Sequence, residues 1–164
     1  MNQPALTDNQ HENLITAVYV GLVFVLVALI YFINISKNLW GSFINFLNSF
    51  VLTQVPGTSI SLPAPADPAA YGVLYNPVFQ FFLGLGILEI GILALRIVLN
   101  SPLPRKAETI ENIVFAFGTS YLITTYLVKM TIMSEWFVFW AGIILIAGLA
   151  FLARAFVLMA AGQR

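Results

Sequence analysis

The chain has 164 residues, of which 60% are apolar and only 9% are charged, and its mean hydropathy is +0.91. Soluble domains carry charge on about a quarter of their residues, so this chain lacks the groups needed to build a water-facing surface. The composition therefore predicts an integral membrane protein whose main partner is the lipid bilayer.

Charge and residue usage exclude several classes of function. Seven basic and seven acidic residues balance each other and no polybasic cluster is present, which argues against binding to nucleic acid. The chain has no cysteine, which excludes thiolate chemistry. It has a single histidine, His11, which excludes a metal site built from several histidines of this chain. It also lacks a phosphate-binding loop and the usual hydrolase and metalloprotease motifs. We therefore predict no cofactor, no metal and no enzymatic activity.

The amino-terminal half predicts one membrane span, one amphipathic helix and a long loop. Residues 1–13 are polar and form a predicted cytoplasmic tail. Residues 14–35 contain an uncharged apolar run of about 20 residues, the length needed to cross roughly 30 Å of hydrocarbon. In residues 38–54 polar side chains recur every three or four positions, which predicts a helix that either lies in the interface or extends the first span. Residues 55–76 contain four prolines and predict an outer loop.

The carboxyl-terminal half predicts three further spans. Residues 77–99 form the second, with Asn76 as the N-cap and Pro77 at the first helical position. The prolines of residues 101–106 end it. The third span covers residues 109–131 and the fourth residues 135–160, joined by a short turn. The predicted fold is all-α: a bundle of four transmembrane helices in one membrane domain, residues 14–164, with an interfacial helix and a proline-rich outer loop.

The distribution of basic residues predicts the orientation. With four spans, both termini and the 101–106 loop lie on one side of the membrane. Basic residues are more frequent on that side, and positive charge accumulates on the cytoplasmic side of a membrane. Both termini of a multi-pass protein of the cell membrane are therefore predicted to be cytoplasmic. The basic residues are Arg96, Arg105, Lys106, Arg154 and Arg164 on that side, against Lys37 and Lys129 on the other.

A single acidic residue, Glu89, lies near the middle of a predicted span. Its position in residues 77–99 places it within about 2 Å of the bilayer centre. A charged group at that depth costs several kcal/mol unless it is partnered, and it is a functional hypothesis by default. Arg96 lies on the same helix face, about 10.5 Å along the axis. The candidate ion site comprises Glu89, Arg96, the hydroxyl-bearing Tyr121, Thr124 and Thr125 of the third span, and Arg154 of the fourth.

Two interpretations of these residues compete. In the first, Glu89 is neutral or hydrogen-bonded to hydroxyls and holds helices together, while Arg96 and Arg154 reach the inner headgroups. In the second, Glu89 is a protonatable site on an ion or proton path. The first is favoured, because a lone acidic residue is a narrow basis for a transport path.

The functional hypothesis that follows is a non-catalytic subunit. Its partners are copies of itself or other membrane-protein subunits, in which it has a structural or accessory role. The alternative is a small channel or transporter that uses Glu89, which needs several copies because four helices do not enclose a roomy pore. A receptor whose outer loop binds a ligand is a third hypothesis, and no sequence feature supports it specifically.

Overall fold

The computed structural model of the chain describes the backbone of residues 8–162 and the side chains of residues 10–160. This part of the chain is mostly helical. The helices are α1 (Asp8–Asn34), α2 (Leu39–Asn48), α3 (Gly72–Val98), α4 (Leu103–Leu122) and α5 (Ser134–Gly162). Two strands follow α2, namely β1 (Phe50–Gln54) and β2 (Ser61–Pro65). Short 3-10 turns cover Ile35–Lys37 and Pro68–Tyr71, and a π-helical segment, Ile123–Val128, continues α4.

The four long helices lie side by side in chain order, and each runs antiparallel to the next. α1 packs on α3, α3 on α4, and α4 on α5. We call the end where α1 begins and α3 ends the charged end, and the opposite end, which carries α2 and the strands, the aromatic end. Within the described residues, α1 and α5 make at most marginal contact with each other. The arrangement is therefore an open row, in which the first and last helices each have one main neighbour.

Three helical segments are long and apolar enough to cross a membrane: Gln10–Lys37, Pro68–Val98 and Ser134–Ala160. They support the predicted membrane class. α4 and its π-helical continuation fall short of that apolarity because the first half of α4 carries four charged residues, Arg105, Lys106, Glu108 and Glu111. Polar side chains further along, Thr119 and Ser120, are buried, since α4 lies between α3 and α5.

The first helix begins earlier than its hydropathy predicts. α1 starts at Asp8, so residues 8–13 of the predicted tail belong to this helix, while residues 1–7 lie outside the described part of the chain. The reason is a single stripe of side chains that pack against α3 at intervals of three and four residues. Its members are Glu12, Ile15, Tyr19, Val23, Leu26, Ile30 and Asn34, and His11 lies next to the first of them. We call this stripe of contacts the α1–α3 seam. It stabilises the polar start of the helix as well as the apolar part.

The predicted helix over residues 38–54 is wrong beyond Asn48. Asn38 adopts the left-handed conformation, φ +39°, which asparagine tolerates better than most residues, and this separates α2 from α1. β1 pairs antiparallel with β2, with Phe50 opposite Pro65. Prolines are accepted at alternate positions of β2 because a two-stranded ladder uses only every second N–H. The fold is therefore mostly helical, as predicted, with one two-stranded hairpin that includes part of the predicted outer loop.

Two further helix starts differ from the prediction. α3 begins at Gly72, so Asn76 is not its N-cap and Pro77 lies inside the helix. The Asn76 side chain instead donates to the Gly72 carbonyl at 2.9 Å. α4 begins at Leu103, which shortens the connection to residues 99–102. Pro104 is then within the first turn of α4, where a proline costs no helical hydrogen bond.

An aromatic cluster holds the aromatic end together. Phe46 of α2 is its centre, and its ring lies 5.1 Å from those of Phe50 and Tyr71. It lies 6.4 Å from Tyr75 and 6.2 Å from Trp136, all with edge-to-face geometry. This cluster connects α2 and β1 to α3 and α5, so the segment between α1 and α3 packs on the long helices.

Candidate functional site

Glu89 is buried in α3, with only 2% of its surface exposed, and it faces both neighbouring helices. The Asn112 side-chain amide, on α4, donates to Glu89 Oε1 at 2.9 Å. The Tyr19 side chain, on α1, also interacts with this carboxyl group. One carboxyl group therefore links three helices, and its partners are an amide and a phenol rather than the hydroxyls of the predicted third span.

Glu89 does not lie at the middle of its helix. α3 runs from Gly72 to Val98, so its midpoint is Leu85. Glu89 lies four residues beyond that midpoint, which is about 6 Å toward the charged end. The carboxyl group is thus displaced from the centre of its helix, toward the arginine that follows it.

Arg96 forms the second part of the same cluster. Its Nη1 donates to the Arg105 carbonyl at 2.7 Å and to the Thr109 hydroxyl. Its Nη2 lies 3.6 Å from Glu12 Oε2, at the start of α1. Arg96 is buried, so its guanidinium does not extend to the headgroups but joins α1, α3 and α4. We call the set of Glu12, Tyr19, Glu89, Arg96, Thr109 and Asn112 the polar cluster.

The other predicted site residues lie elsewhere. Arg154 of α5 pairs with Glu111 of α4 at 3.0 Å and is not part of the polar cluster. Tyr121, Thr124 and Thr125 lie at least nine residues beyond Asn112 along the helix, about 14 Å away. Tyr121 also points outward, with 67% of its surface exposed. Of the predicted site residues, the structure brings together only Glu89 and Arg96.

The cluster contains four side chains that the sequence prediction did not include. Glu12 and Tyr19 contribute from α1, and Thr109 and Asn112 contribute from α4. A signal was present for two of them, because Glu12 and Tyr19 are seven residues apart and belong to the α1 stripe. Asn112 has no such signal, because its contact depends on how α3 and α4 are aligned.

A second polar group lies on the same α1–α3 seam at the aromatic end. The Asn34 side chain is fully buried, donates to Gln80 Oε1 at 3.0 Å and accepts from Lys37 Nζ at 2.8 Å. Apolar contacts separate it from the polar cluster. Leu26 lies against Gly84, 2.5 Å from the point where a Cβ on that glycine would be. The seam is therefore polar at both ends and tightly packed between them.

A cavity of about 740 Å³ lies at the aromatic end, between α1, α2, α3, α4 and α5. Its lining is almost entirely apolar, and ten of its eighteen lining residues are aromatic. Buried residues form its floor, including Thr119 of α4 and Ile123 and Leu127 of the π-helical segment. Three lining residues are more than half exposed, namely Tyr31 of α1, Trp40 of α2 and Trp140 of α5. The cavity is therefore open on a side to which α1, α2 and α5 all contribute.

Within residues 10–160, no group of three or more histidine, aspartate or glutamate side chains is placed to hold a metal ion. No family model, no curated protein and no solved structure matches the chain. Its helices alone define its class, which is that of helical membrane proteins with three segments able to cross a bilayer.

Proposed function

We propose that this protein is a non-catalytic membrane protein with four spans that acts as a structural or accessory subunit of a homo-oligomer or a larger membrane complex. The observation that carries the proposal is the open row of helices. α1 contacts the rest of the chain through one stripe, and α5 through its face toward α4. The remaining sides of both helices are available to neighbours in the membrane.

The position of α4 supports the fourth span. It lies between two helices that are able to span the bilayer and runs antiparallel to both. Its ends are level with theirs, as the pairing of Glu111 with Arg154 and of Gly118 with Ile146 indicates. Because neighbouring helices shield its polar side chains, α4 crosses the membrane without needing a uniformly apolar surface.

The charge distribution supports cytoplasmic termini. Arginine and lysine side chains concentrate at the charged end, where α1 begins and α5 ends. The aromatic end, with α2 and the hairpin, then faces outward. The described basic residues are Arg96, Arg105, Lys106 and Arg154 at the charged end, against Lys37 and Lys129 at the other.

Packing within the chain leaves several close-approach positions unused. Lipid solvates apolar side chains as well as a protein neighbour does, so helices associate in membranes mainly through close backbone approach and polar contacts. Gly21 of α1 and Gly148 of α5 have no atom within 4 Å of the point where a Cβ would be. Both end helices therefore allow close approach by a helix of another chain.

Site-specific photo-crosslinking in native membranes tests the subunit role. Benzoylphenylalanine replaces Phe24 of α1 or Phe156 of α5, which are 72% and 64% exposed. We expect discrete crosslinked species, either of twice the chain mass or with a defined second protein, and a matching mass on blue-native gels. The same probe at Tyr121, 67% exposed in α4, is the control. A monomer on native gels, with lipid adducts only at Phe24 and Phe156, would contradict the proposal.

The alternative function, an ion or proton conduit, has one observation in its favour. The buried Glu89 lies in the same polar cluster as Glu12, whose carboxyl oxygens have no hydrogen-bond partner among the described residues. Such a series of polar groups is suited to admit water from the charged end. The contact of Leu26 with Gly84 opposes a complete path, because it closes the seam on the other side of Glu89.

Proton flux separates the two functions. We expect liposomes containing the wild-type protein to hold a pH gradient as long as protein-free liposomes do, measured with an entrapped pH-sensitive dye. Glu89→Gln keeps the shape and the hydrogen bonds but removes the carboxyl proton, so it is expected to change nothing. Flux in the wild type that is lost in Glu89→Gln would instead establish the conduit.

A further inference from the structure

The two edges of the β1–β2 hairpin carry different backbone groups. In an antiparallel pair, only every second residue of a strand exchanges hydrogen bonds with its partner strand. The Val55 N–H donates to the Ile60 carbonyl at 2.9 Å, directly beyond the ladder and in the same register, which fixes the alternation. Every second residue of β1, counted back from Val55, therefore bonds to β2, and the residues between them direct their N–H and C=O groups away from it. These outward residues are Phe50, Leu52 and Gln54.

The outer edge of β2 is blocked. Pro63 and Pro65 lie opposite outward residues of β1, so they occupy outward positions of β2. Because proline has no N–H, this edge lacks the donors that a further strand would need at both positions. The end of β2 is also covered by the rest of the protein, since Ala64 and Pro65 are buried. Prolines and burial are two of the ways in which proteins protect a sheet edge from pairing.

The outer edge of β1 has no such protection. No residue of β1 is buried, and Leu52 at its centre is 77% exposed. β1 packs mainly on β2, and among the described residues the N–H groups of its outward residues have no acceptor. Residues 50–65 carry no charge. An exposed, apolar edge of this kind is a template for another strand.

A second copy of β1 fits this edge. The outward residues are placed symmetrically about Leu52, so in an antiparallel pairing Leu52 faces itself and Phe50 faces Gln54. Each facing pair exchanges two hydrogen bonds, and this register uses every free N–H and C=O group of the edge. A shift in either direction leaves some of them unpaired. Since the hairpin is uncharged, two copies also meet without repulsion between like charges.

We propose that β1 pairs antiparallel with β1 of a second copy, so that two two-stranded hairpins join into one four-stranded sheet centred on Leu52. The prolines of β2 prevent further strands from adding, and the contact is therefore closed and two-fold. This inference rests on the homo-oligomeric form of the proposed function and names the contact between the copies. It uses neither α1 nor α5.

Disulfide crosslinking tests the register. The chain has no cysteine, so Leu52→Cys carries a single thiol. Facing residues in a hydrogen-bonded antiparallel pair have Cα atoms about 5.5 Å apart, within the usual range for a disulfide. We expect oxidation of the purified protein in liposomes to give a covalent dimer.

Leu62→Cys is the matched control for this crosslink. Leu62 is 45% exposed in β2, and in the proposed sheet the two copies of β2 are three strand spacings apart, about 14 Å. We therefore expect no disulfide from this variant in the same oxidation time. Equal crosslinking of the two variants, or no dimer from Leu52→Cys, would overturn the proposal.

Two proline variants test the hydrogen bonds. Leu52→Pro removes an outward N–H, and the hairpin should accept it as it accepts Pro63 directly opposite. We expect at least about tenfold weaker dimerisation, measured by single-molecule photobleaching of a fluorescent fusion over a range of protein-to-lipid ratios. Ser61→Pro is the matched control, since it alters the edge that prolines already block. Equal dimerisation of both variants would overturn the proposal. Near-ultraviolet circular dichroism, which reports on the contact of Phe50 with Trp136, checks that the hairpin is retained.

The outcomes separate this inference from the proposed function. If the probes at Phe24 or Phe156 crosslink to a neighbour while Leu52→Cys forms no dimer, the copies do not meet through β1 and the subunit role stands. A disulfide from Leu52→Cys to a different protein in native membranes, without a dimer, would show that the edge binds another extended chain. A second copy would then be the wrong partner.

Discussion

Replacing Arg96 by methionine is expected to lower the free energy of unfolding by about 3–5 kcal/mol, the cost of breaking a buried ion pair from one side. The substitution removes both hydrogen bonds of the guanidinium, to the Arg105 carbonyl and the Thr109 hydroxyl. It also leaves Glu12, whose carboxyl oxygens are buried, without its only described ion-pair partner. The measurement is unfolding by sodium dodecyl sulfate in mixed micelles, followed by far-ultraviolet circular dichroism.

Arg105→Met is the matched control for that variant. Arg105 pairs with Glu108 at 3.0 Å, but the two side chains are 55% and 41% exposed, so the pair contributes less than about 1 kcal/mol. A second test combines Arg96→Met with Glu12→Gln, which removes both charges. We expect the double variant to lose less than the sum of the single losses, because no buried charge remains unpaired. Equal losses in the Arg96 and Arg105 variants would show that the polar cluster contributes little to stability.

Hydropathy was sufficient to predict three of the helices. The predicted spans 14–35, 77–99 and 135–160 fall on helical segments that are apolar enough to cross a membrane. An uncharged run of about 20 apolar residues allows few alternatives to a spanning helix. The helix ends were less predictable, since packing extended α1 to Asp8 and α3 to Gly72, through residues that are too polar or too small to mark a span.

The hairpin was not predictable from the pattern of residues 38–54. Polar residues at intervals of three and four, from Asn38 to Thr53, satisfy a helical stripe along the whole segment. The strand over Phe50–Gln54 depends on its pairing with Ser61–Pro65, a contact between segments separated by a turn. Pairing of this kind leaves a weak local signal, and prolines in the second segment are typical of loops.

The polar cluster was predicted only in the part that lies on one helix. Glu89 and Arg96 stand out because they are charged residues within an apolar run. Their partners depend on the alignment of α3 with α4, and α4 begins at Leu103 rather than at residue 109, a difference of 109 − 103 = 6 residues. Six residues correspond to roughly 9 Å along a helix. Together with the displacement of Glu89 by about 6 Å from the middle of α3, this brings Asn112 rather than the hydroxyls near Tyr121 beside the carboxyl group.

Replacing Gly118 by alanine is expected to destabilise the protein by about 2 kcal/mol, because α4 and α5 are in contact at that glycine. A Cβ on Gly118 would be 2.5 Å from Cγ2 of Ile146. That methyl group is attached directly to the isoleucine Cβ, and a β-branched side chain in a helix has one strongly preferred rotamer. The side chain therefore cannot rotate away cheaply, and the two helices must separate. Unfolding in mixed micelles measures the loss.

The same substitution at Gly148 of α5 is expected to act in the opposite direction. No atom lies within 4 Å of its added methyl group, so alanine should stabilise the helix by up to about 1 kcal/mol through the smaller backbone entropy of the unfolded chain. Combining Gly118→Ala with Ile146→Ala should recover part of the loss, since the obstructing methyl group is then absent. If both glycine variants change stability in the same direction, close contact at Gly118 does not hold α4 against α5.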